Sequence, residues 1–109
     1  MDTTLDLDLV RCFLHVAESG GFTQASRRLH LSQSAVSLKI QRLETLLDRK
    51  VFERTSRTLA LTMEGELLLG YARRLIALSE EAVQTVSRRT IGGHLNLGIA
   101  QQFGQPFLF

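Results

Sequence analysis

Residues 22–47, FTQASRRLHLSQSAVSLKIQRLETLL, contain two helical segments separated by a short break at His30-Leu31. Thr23 and Ser32 stand where a side-chain hydroxyl can cap the free N–H groups that open a helix. Two short helices joined by a tight turn form a helix-turn-helix, which we predict over about residues 22–41. The second helix carries one apolar stripe with helical spacing, formed by Val36, Ile40, Leu43 and Leu47.

The opposite face of this second helix is small, mostly uncharged and rich in hydrogen-bonding groups. Such a face suits base edges in a DNA major groove, whereas solvated faces more often carry Lys and Glu. The pattern alone leaves two interpretations open, a DNA-reading face and a polar side that is merely solvated. The residues of this face are Gln33, Ser34, Ser37, Leu38 and Gln41.

Positive charge is concentrated around this segment. Residues 21–62 carry eight Lys and Arg against three acidic side chains, a net charge of +5. Residues 1–20 carry −3, and residues 63–109 are balanced. A local excess of positive charge is typical of a phosphate binder and favours the DNA-reading interpretation.

Length and composition limit the kinds of protein that this chain can be. With 109 residues, 44% of them apolar and 22% charged, the chain can form one compact domain plus an appendage. Cys12 is the only cysteine, which excludes an internal disulfide and favours a packed free thiol. No apolar run reaches the ~20 residues of a membrane span, and the N-terminus lacks the basic residues of a signal peptide. We expect a cytoplasmic protein with no membrane partner, at the nucleoid when bound to DNA.

The sequence offers no chemistry for an enzyme. It has no glycine-rich phosphate loop and no Cys/His metal spacing, and His15, His30 and His94 are scattered. We expect no catalytic residue, metal site or cofactor, and His15 is expected at the surface.

Two further elements flank the central pair of helices. Asp6 or Asp8 can cap a first helix that ends at about Ser19, before Gly20-Gly21. Residues 51–55 and 59–62 read as two short strands joined by a turn. This hairpin predicts a wing with Arg54 and Arg57 near its tip, against flanking phosphates or in the minor groove. A solvated hairpin is the alternative, and the basic tip favours the wing.

One long helix is predicted from Met63 to about Arg89, with Thr62 as its cap. Two adjacent heptad stripes make its apolar face broader than a small domain covers from one side. We therefore expect a homodimer through this helix, although the helix could instead pack wholly on its own domain. The stripe assigned to the dimer comprises Leu68, Tyr71, Leu75, Leu78 and Ala82.

The last segment, residues 91–109, changes pattern again. Gly92-Gly93 is expected to be a hinge, and residues 94–100 alternate like the first strand of a new unit. We expect this segment to be the start of a truncated domain.

From Leu5 to Arg89 the chain resembles the N-terminal half of LysR-type transcriptional regulators. The resemblance is carried by ordered motifs in every element. They are Leu7, Phe13, Val16 and Ala17 in the first helix, then Gly21-Phe22-Thr23 with Ala25, Ser32–Ser37, Ile40–Glu44, Phe52–Thr55, Leu61-Thr62, Gly65 and Tyr71–Arg74. It implies a mainly α fold with a winged helix-turn-helix of three helices and a two-stranded β wing over residues 5–62. A dimerising linker helix over residues 63–90 and a C-terminal effector-binding domain would follow.

The resemblance also implies roles for individual residues. Gln33, Ser34, Ser37, Leu38 and Gln41 match base-facing positions. The positions of DNA-backbone and wing contacts are Thr23, Ser32, Lys39, Arg42, Arg54, Thr55 and Arg57.

The implied partners are double-stranded DNA with an inverted-repeat operator and a second copy of the chain, with a tetramer in the full-length protein. A small-molecule effector would bind only through the absent C-terminal domain.

Two positions depart from the family pattern. Leu38 stands where many members carry Arg or Gln, so a thymine methyl is the contact it can offer. Met63 replaces the proline that usually opens the linker helix.

A second functional class also remains open, a protein-interaction module that uses the helix over residues 63–89 and carries its basic charge incidentally.

Overall fold

The computed structural model describes residues 4–54 and 58–92, with side chains described up to residue 88. The described residues fall into two compact units, those up to residue 76, which we call the head, and those from residue 77 onward. The elements confirm the predicted mainly helical fold with a two-stranded antiparallel wing. In order they are α1 (Leu7–Ser19), α2 (Phe22–Leu29), α3 (Gln33–Leu47), β1 (Phe52–Arg54), β2 (Leu59–Leu61) and α4 (Met63–Gly92).

The boundaries of α1 follow from its caps. The Asp6 carboxylate accepts a hydrogen bond from the Asp8 N–H at 2.9 Å. Gly20 adopts a left-handed conformation with φ of 87° and donates its N–H to the Val16 carbonyl at 3.1 Å. Both ends lie where the sequence predicted them.

The turn between α2 and α3 confirms one predicted cap and overturns the other. The Ser32 hydroxyl accepts the Ala35 N–H at 3.1 Å and caps α3. In contrast, α2 begins at Phe22 with Gly21 as its N-cap and no side-chain cap. Thr23 is therefore inside the helix, and its hydroxyl contacts Gln33 instead.

The core of the head lies where α1 and α3 meet. Phe13 of α1 and Ile40 of α3 are fully buried, and each such side chain stabilises the fold by about 1.5–3 kcal/mol. The Phe13 and Phe52 rings lie 5.3 Å apart between centroids, so the wing packs on the same core. Further buried residues are Val10, Val16, Ala25, Val36, Leu43 and Val51.

The wing is one antiparallel pair in which Phe52 faces Leu61 and Arg54 faces Leu59. Its predicted tip, with Thr55 and Arg57, lies outside the described residues.

Helix α4 begins as predicted and ends three residues beyond the predicted end. The Thr62 hydroxyl accepts the Gly65 N–H at 3.0 Å and donates to the Lys50 carbonyl at 2.7 Å. The first part of α4 belongs to the head, because Leu68, Ala72 and Ile76 are buried in its core. From residue 77 to residue 88 every side chain except that of Ser79 is exposed. The segment 93–109, with the predicted strand, lies outside the described residues.

Cys12 is a packed thiol, 1% exposed, with its sulfur 3.9 Å from the Val36 carbonyl oxygen. Burial raises the pKa of Cys12 from 9.0 to about 11, against a smaller opposing effect of the nearby Lys39 cation. The neutral thiol therefore dominates at physiological pH.

Gly65→Ala is expected to destabilise the head by about 1–3 kcal/mol, because overpacking a fixed site forces the backbone to shift. A Cβ at Gly65 would collide with the Val51 carbonyl oxygen, which is held by the Thr62 N–H at 3.1 Å. Urea unfolding followed by circular dichroism measures the change. The matched control is Gly70→Ala, where nothing lies within 4 Å and a gain of about 0.5–1 kcal/mol is expected. Equal stability of the two variants would contradict the close approach at Gly65.

Cys12 is expected to react with iodoacetamide at pH 8 at least about 100-fold more slowly in the folded chain than in the urea-unfolded chain, since only the thiolate reacts. The folded-state pKa of about 11 leaves little thiolate at that pH. Mass spectrometry of timed samples measures both rates. Similar rates in the two states would show that the thiol is accessible and ionisable in the fold.

Candidate DNA-binding surface

Helix α3 presents two faces of opposite character. Val36, Ile40 and Leu43 are fully buried and fix its inner side to the core. On the outer side Leu38 is 46% exposed and Ser37 is half-buried. The remaining predicted base-reading residues, Gln33, Ser34 and Gln41, are also exposed. The structure therefore brings these five side chains to one accessible face of a rigidly packed helix.

The start of this face is tied to α2. Gln33 donates a hydrogen bond from its amide nitrogen to the hydroxyl of Thr23. Thr23, assigned by resemblance to a DNA-backbone contact, thus also contacts a predicted base-reading residue. Ser32, assigned to the same class of contact, uses its hydroxyl to cap α3.

Three arginines around α3 carry exposed guanidinium groups. In the part of the chain that the structure describes, Arg27, Arg28 and Arg42 pair with no carboxylate. Arg27 and Arg28 lie in the last turn of α2, and Arg42 lies on α3. Their charge is available to phosphate groups.

Other cations of the head are already engaged. Lys39 forms an ion pair with Asp8 of α1, and its side chain is only 23% exposed. Arg54 lies over the Phe22 ring, with its guanidinium carbon 4.8 Å from the ring centroid. Arg49 pairs with the exposed Asp48 at 3.7 Å. The sequence assigned Lys39 and Arg54 to DNA, and the structure shows that each also has a partner within the protein.

Glu44, which the sequence analysis assigned only to a motif, makes a structural contact that local sequence does not reveal. It is 7% exposed, its Oε2 accepts the Val51 N–H at 2.9 Å, and its Oε1 lies 3.7 Å from the Lys50 ammonium. A signal of its burial was present, because Glu44 follows Ile40 by four residues and thus borders the buried stripe of α3. Its carboxylate joins α3 to the start of the wing.

Helix α4 exposes three of the five residues of the predicted stripe and packs the other two against the head. Leu68 is 7% exposed and Leu75 packs against the core, because the head covers that side of the helix. Tyr71 is 58% exposed and Leu78 is 62% exposed, and Ala82 is exposed as well. Leu67, which the prediction omitted, is 64% exposed. The accessible apolar residues on this side of the helix are therefore Leu67, Tyr71, Leu78 and Ala82.

In the described part of the chain there is no metal-binding cluster and no membrane-spanning helix. Residues 4–54 and 58–92 contain no group of three His, Cys, Asp or Glu side chains arranged to hold a metal ion. His15 is half-buried rather than at the surface, and its Nδ1 has no hydrogen-bond partner. Within the same ranges, no helix combines the length and hydropathy that a bilayer span requires.

Comparison with curated proteins gives two bacterial regulators as examples of the similarity. The chain is 33% identical over 105 residues to the HTH-type transcriptional regulator DgdR of Burkholderia cepacia, covering 96% of this chain and 36% of that protein. It is 38% identical over 104 residues to the HTH-type transcriptional regulator PecT of Dickeya dadantii, covering 95% of this chain and 33% of that protein. The chain thus spans about a third of the length of these relatives.

Solved structures with the same fold include two DNA-binding domains in complex with DNA. The BenM domain on the catB site 1 DNA matches with a TM-score of 0.78 and 33% identity, covering 83% of this chain and 100% of that one. The CbnR domain on DNA matches with a TM-score of 0.73 and 30% identity, covering 79% of this chain and 99% of that one.

The family model described as "Bacterial regulatory helix-turn-helix protein, lysR family" matches residues 7–66, from the first residue of α1 into the first turn of α4. That range contains the helix-turn-helix, the wing and the buried Glu44 that joins them. The named relatives are HTH-type transcriptional regulators. With more than half of its length inside the family model, the chain belongs to the LysR family of bacterial helix-turn-helix regulatory proteins.

Proposed function

We propose that this chain is the DNA-binding and dimerisation part of a sequence-specific transcription regulator. The observation that carries the proposal is the accessible, neutral, hydrogen-bonding face of α3. The exposed Arg27 and Arg28 of α2 and Arg42 of α3 accompany it, and none of them pairs with a carboxylate among the described residues. Base edges are recognised by such polar groups, and phosphates by such cations. The BenM and CbnR domains, similar in fold, are seen on DNA.

We assign sequence discrimination to base-edge contacts and most of the affinity to phosphate contacts. Gln33, Ser34, Ser37 and Gln41 supply donors and acceptors for base edges in the major groove, and Leu38 offers an apolar contact to a thymine methyl. Phosphate contacts provide most of the affinity and position the helix without reading sequence. These contacts come from Thr23, Ser32, Lys39, Arg42, Arg54, Thr55 and Arg57, to which the exposed Arg27 and Arg28 are added.

The proposed oligomer is a homodimer through α4. Leu67, Tyr71, Leu78 and Ala82 stand at i, i+4, i+11 and i+15, intervals that place them on one side of an α-helix. A two-fold dimer presents two reading heads and therefore an inverted-repeat operator, with half-sites about 10 base pairs apart or a multiple of that distance. A tetramer, and control by a small-molecule effector bound elsewhere in a longer chain, complete the proposal for the whole protein.

Ser37→Ala is expected to lower the preference for operator over scrambled DNA, because it removes a base-edge group. Arg42→Gln is expected to weaken binding to both duplexes alike and to reduce the log–log salt slope by about 0.9, since one phosphate contact is lost. Fluorescence anisotropy on both duplexes at several salt concentrations measures both effects, with the operator taken from an unbiased site selection.

The matched control is Arg88→Gln, which removes the same charge from an exposed site outside the head. It is expected to leave the salt slope unchanged. Equal effects of all three variants on both duplexes would contradict the division between base and phosphate contacts. A wild-type chain that dimerises but binds neither duplex at low salt would favour the interaction-module alternative.

Leu78→Asp is expected to raise the dimer dissociation constant by at least about tenfold, because it places a charge in an apolar interface core. Leu78 is 62% exposed in the single chain, so the head should remain folded. Analytical ultracentrifugation measures the constant. Gln84→Asp, an equal charge change at an exposed polar site of the same helix, is the control. The same dissociation constant for Leu78→Asp and wild type would exclude this stripe from the interface.

A further inference from the structure

A side-chain hydrogen bond joins Thr23 of α2 to Gln33 of α3, and other hydrogen bonds hold the backbone at both residues. Thr23 lies in the first turn of α2, and Gln33 is the first residue of α3. The buried Ser26 hydroxyl donates to the Thr23 carbonyl at 2.7 Å, and the Leu31 N–H donates to the Ser26 carbonyl at 2.9 Å. The Ser32 cap holds the backbone just before Gln33. The backbone is therefore fixed at both Thr23 and Gln33.

Between these anchors the Gln33 amide nitrogen donates to the Thr23 hydroxyl oxygen. An exposed glutamine otherwise samples many rotamers, and ordering such a side chain on binding opposes association. The bond uses one of the two amide hydrogens and leaves the other hydrogen and Oε1 free. One donor beside one acceptor is the pattern that matches the N7 and N6 groups of adenine.

We propose that Thr23 is a positioning residue for base specificity, which holds the Gln33 amide so that its free edge reads an adenine in each half-site. The inference rests on the proposed function and adds to it a role for α2 in sequence discrimination. It differs from a phosphate contact by Thr23, because a phosphate contact would strengthen binding to every sequence equally.

The test is site selection from a library of inverted-repeat duplexes with randomised half-sites, using the 109-residue chain. The variants are Gln33→Ala, Thr23→Val, Thr23→Ser and the double variant Thr23→Val with Gln33→Ala. Gln33→Ala is expected to abolish the adenine preference at one position of each half-site. Thr23→Val, which keeps the shape but removes the hydroxyl, is expected to lower the same preference about two- to tenfold, as for a side chain released from its rotamer.

Two further results separate positioning from a merely structural role. Thr23→Ser keeps the hydroxyl and is expected to retain the adenine preference. In the Gln33→Ala background Thr23→Val is expected to change no base preference further, because a residue that acts through Gln33 has nothing left to position. Thermal unfolding of each variant verifies that the head is folded, and Thr23 is exposed in the structure.

Several outcomes would overturn the inference. Thr23→Val could weaken binding to all sequences while every base preference persists, which would leave Thr23 as a phosphate contact alone. It could also lower preferences equally with and without Gln33, or Thr23→Ser could lose the preference as Thr23→Val does. A wild-type chain that selects no sequence would defeat the proposed function itself, whereas the outcomes above leave that function standing.

Discussion

A buried carboxylate links α3 to the start of the wing and, through it, to the start of α4. Glu44 of α3 accepts the Val51 N–H at 2.9 Å, and the Val51 carbonyl in turn accepts the Thr62 N–H at 3.1 Å. The Thr62 side chain caps α4 and donates to the Lys50 carbonyl. Since leaving a buried donor without a partner costs about 1–3 kcal/mol, this chain of bonds sets where β1 and α4 begin relative to α3. Gly65 lets α4 approach the same point closely.

The Glu44 contacts hold the C-terminal end of α3, and other contacts hold its N-terminal end. The Ser32 cap and the Ser26–Leu31 bond fix the start of the helix, and the buried stripe fixes its length against α1. A helix held at both ends presents its outer side chains from a fixed backbone. The proposed reading of bases therefore relies on side chains whose backbone is ordered before DNA arrives, which lowers the entropic cost of binding.

The sequence predicted the elements whose signals are local. Asp6, Gly20, Ser32 and Thr62 end or begin helices through groups within four residues of themselves, and the stripe of α3 is read directly from its spacing. The sequence did not predict the features that depend on contacts between residues far apart in the chain. The Lys39–Asp8 pair spans 31 residues, the burial of Leu68 depends on which side of α4 the head covers, and the Thr23–Gln33 bond depends on the geometry of the turn. No periodicity contains that information.

The charge count of the head overstates the number of free cations. Lys39, Arg49 and Lys50 already face carboxylates, whereas Arg27, Arg28 and Arg42 do not in the described part of the chain. Exposed ion pairs contribute little to stability, so a phosphate can replace the carboxylate partner at small cost. The Arg49–Asp48 pair is the most exposed, and Lys39 is the cation most enclosed by its pair. Phosphate binding should therefore engage the unpaired arginines first, Arg49 next and Lys39 last, an order set by exposure and not by the sequence charge.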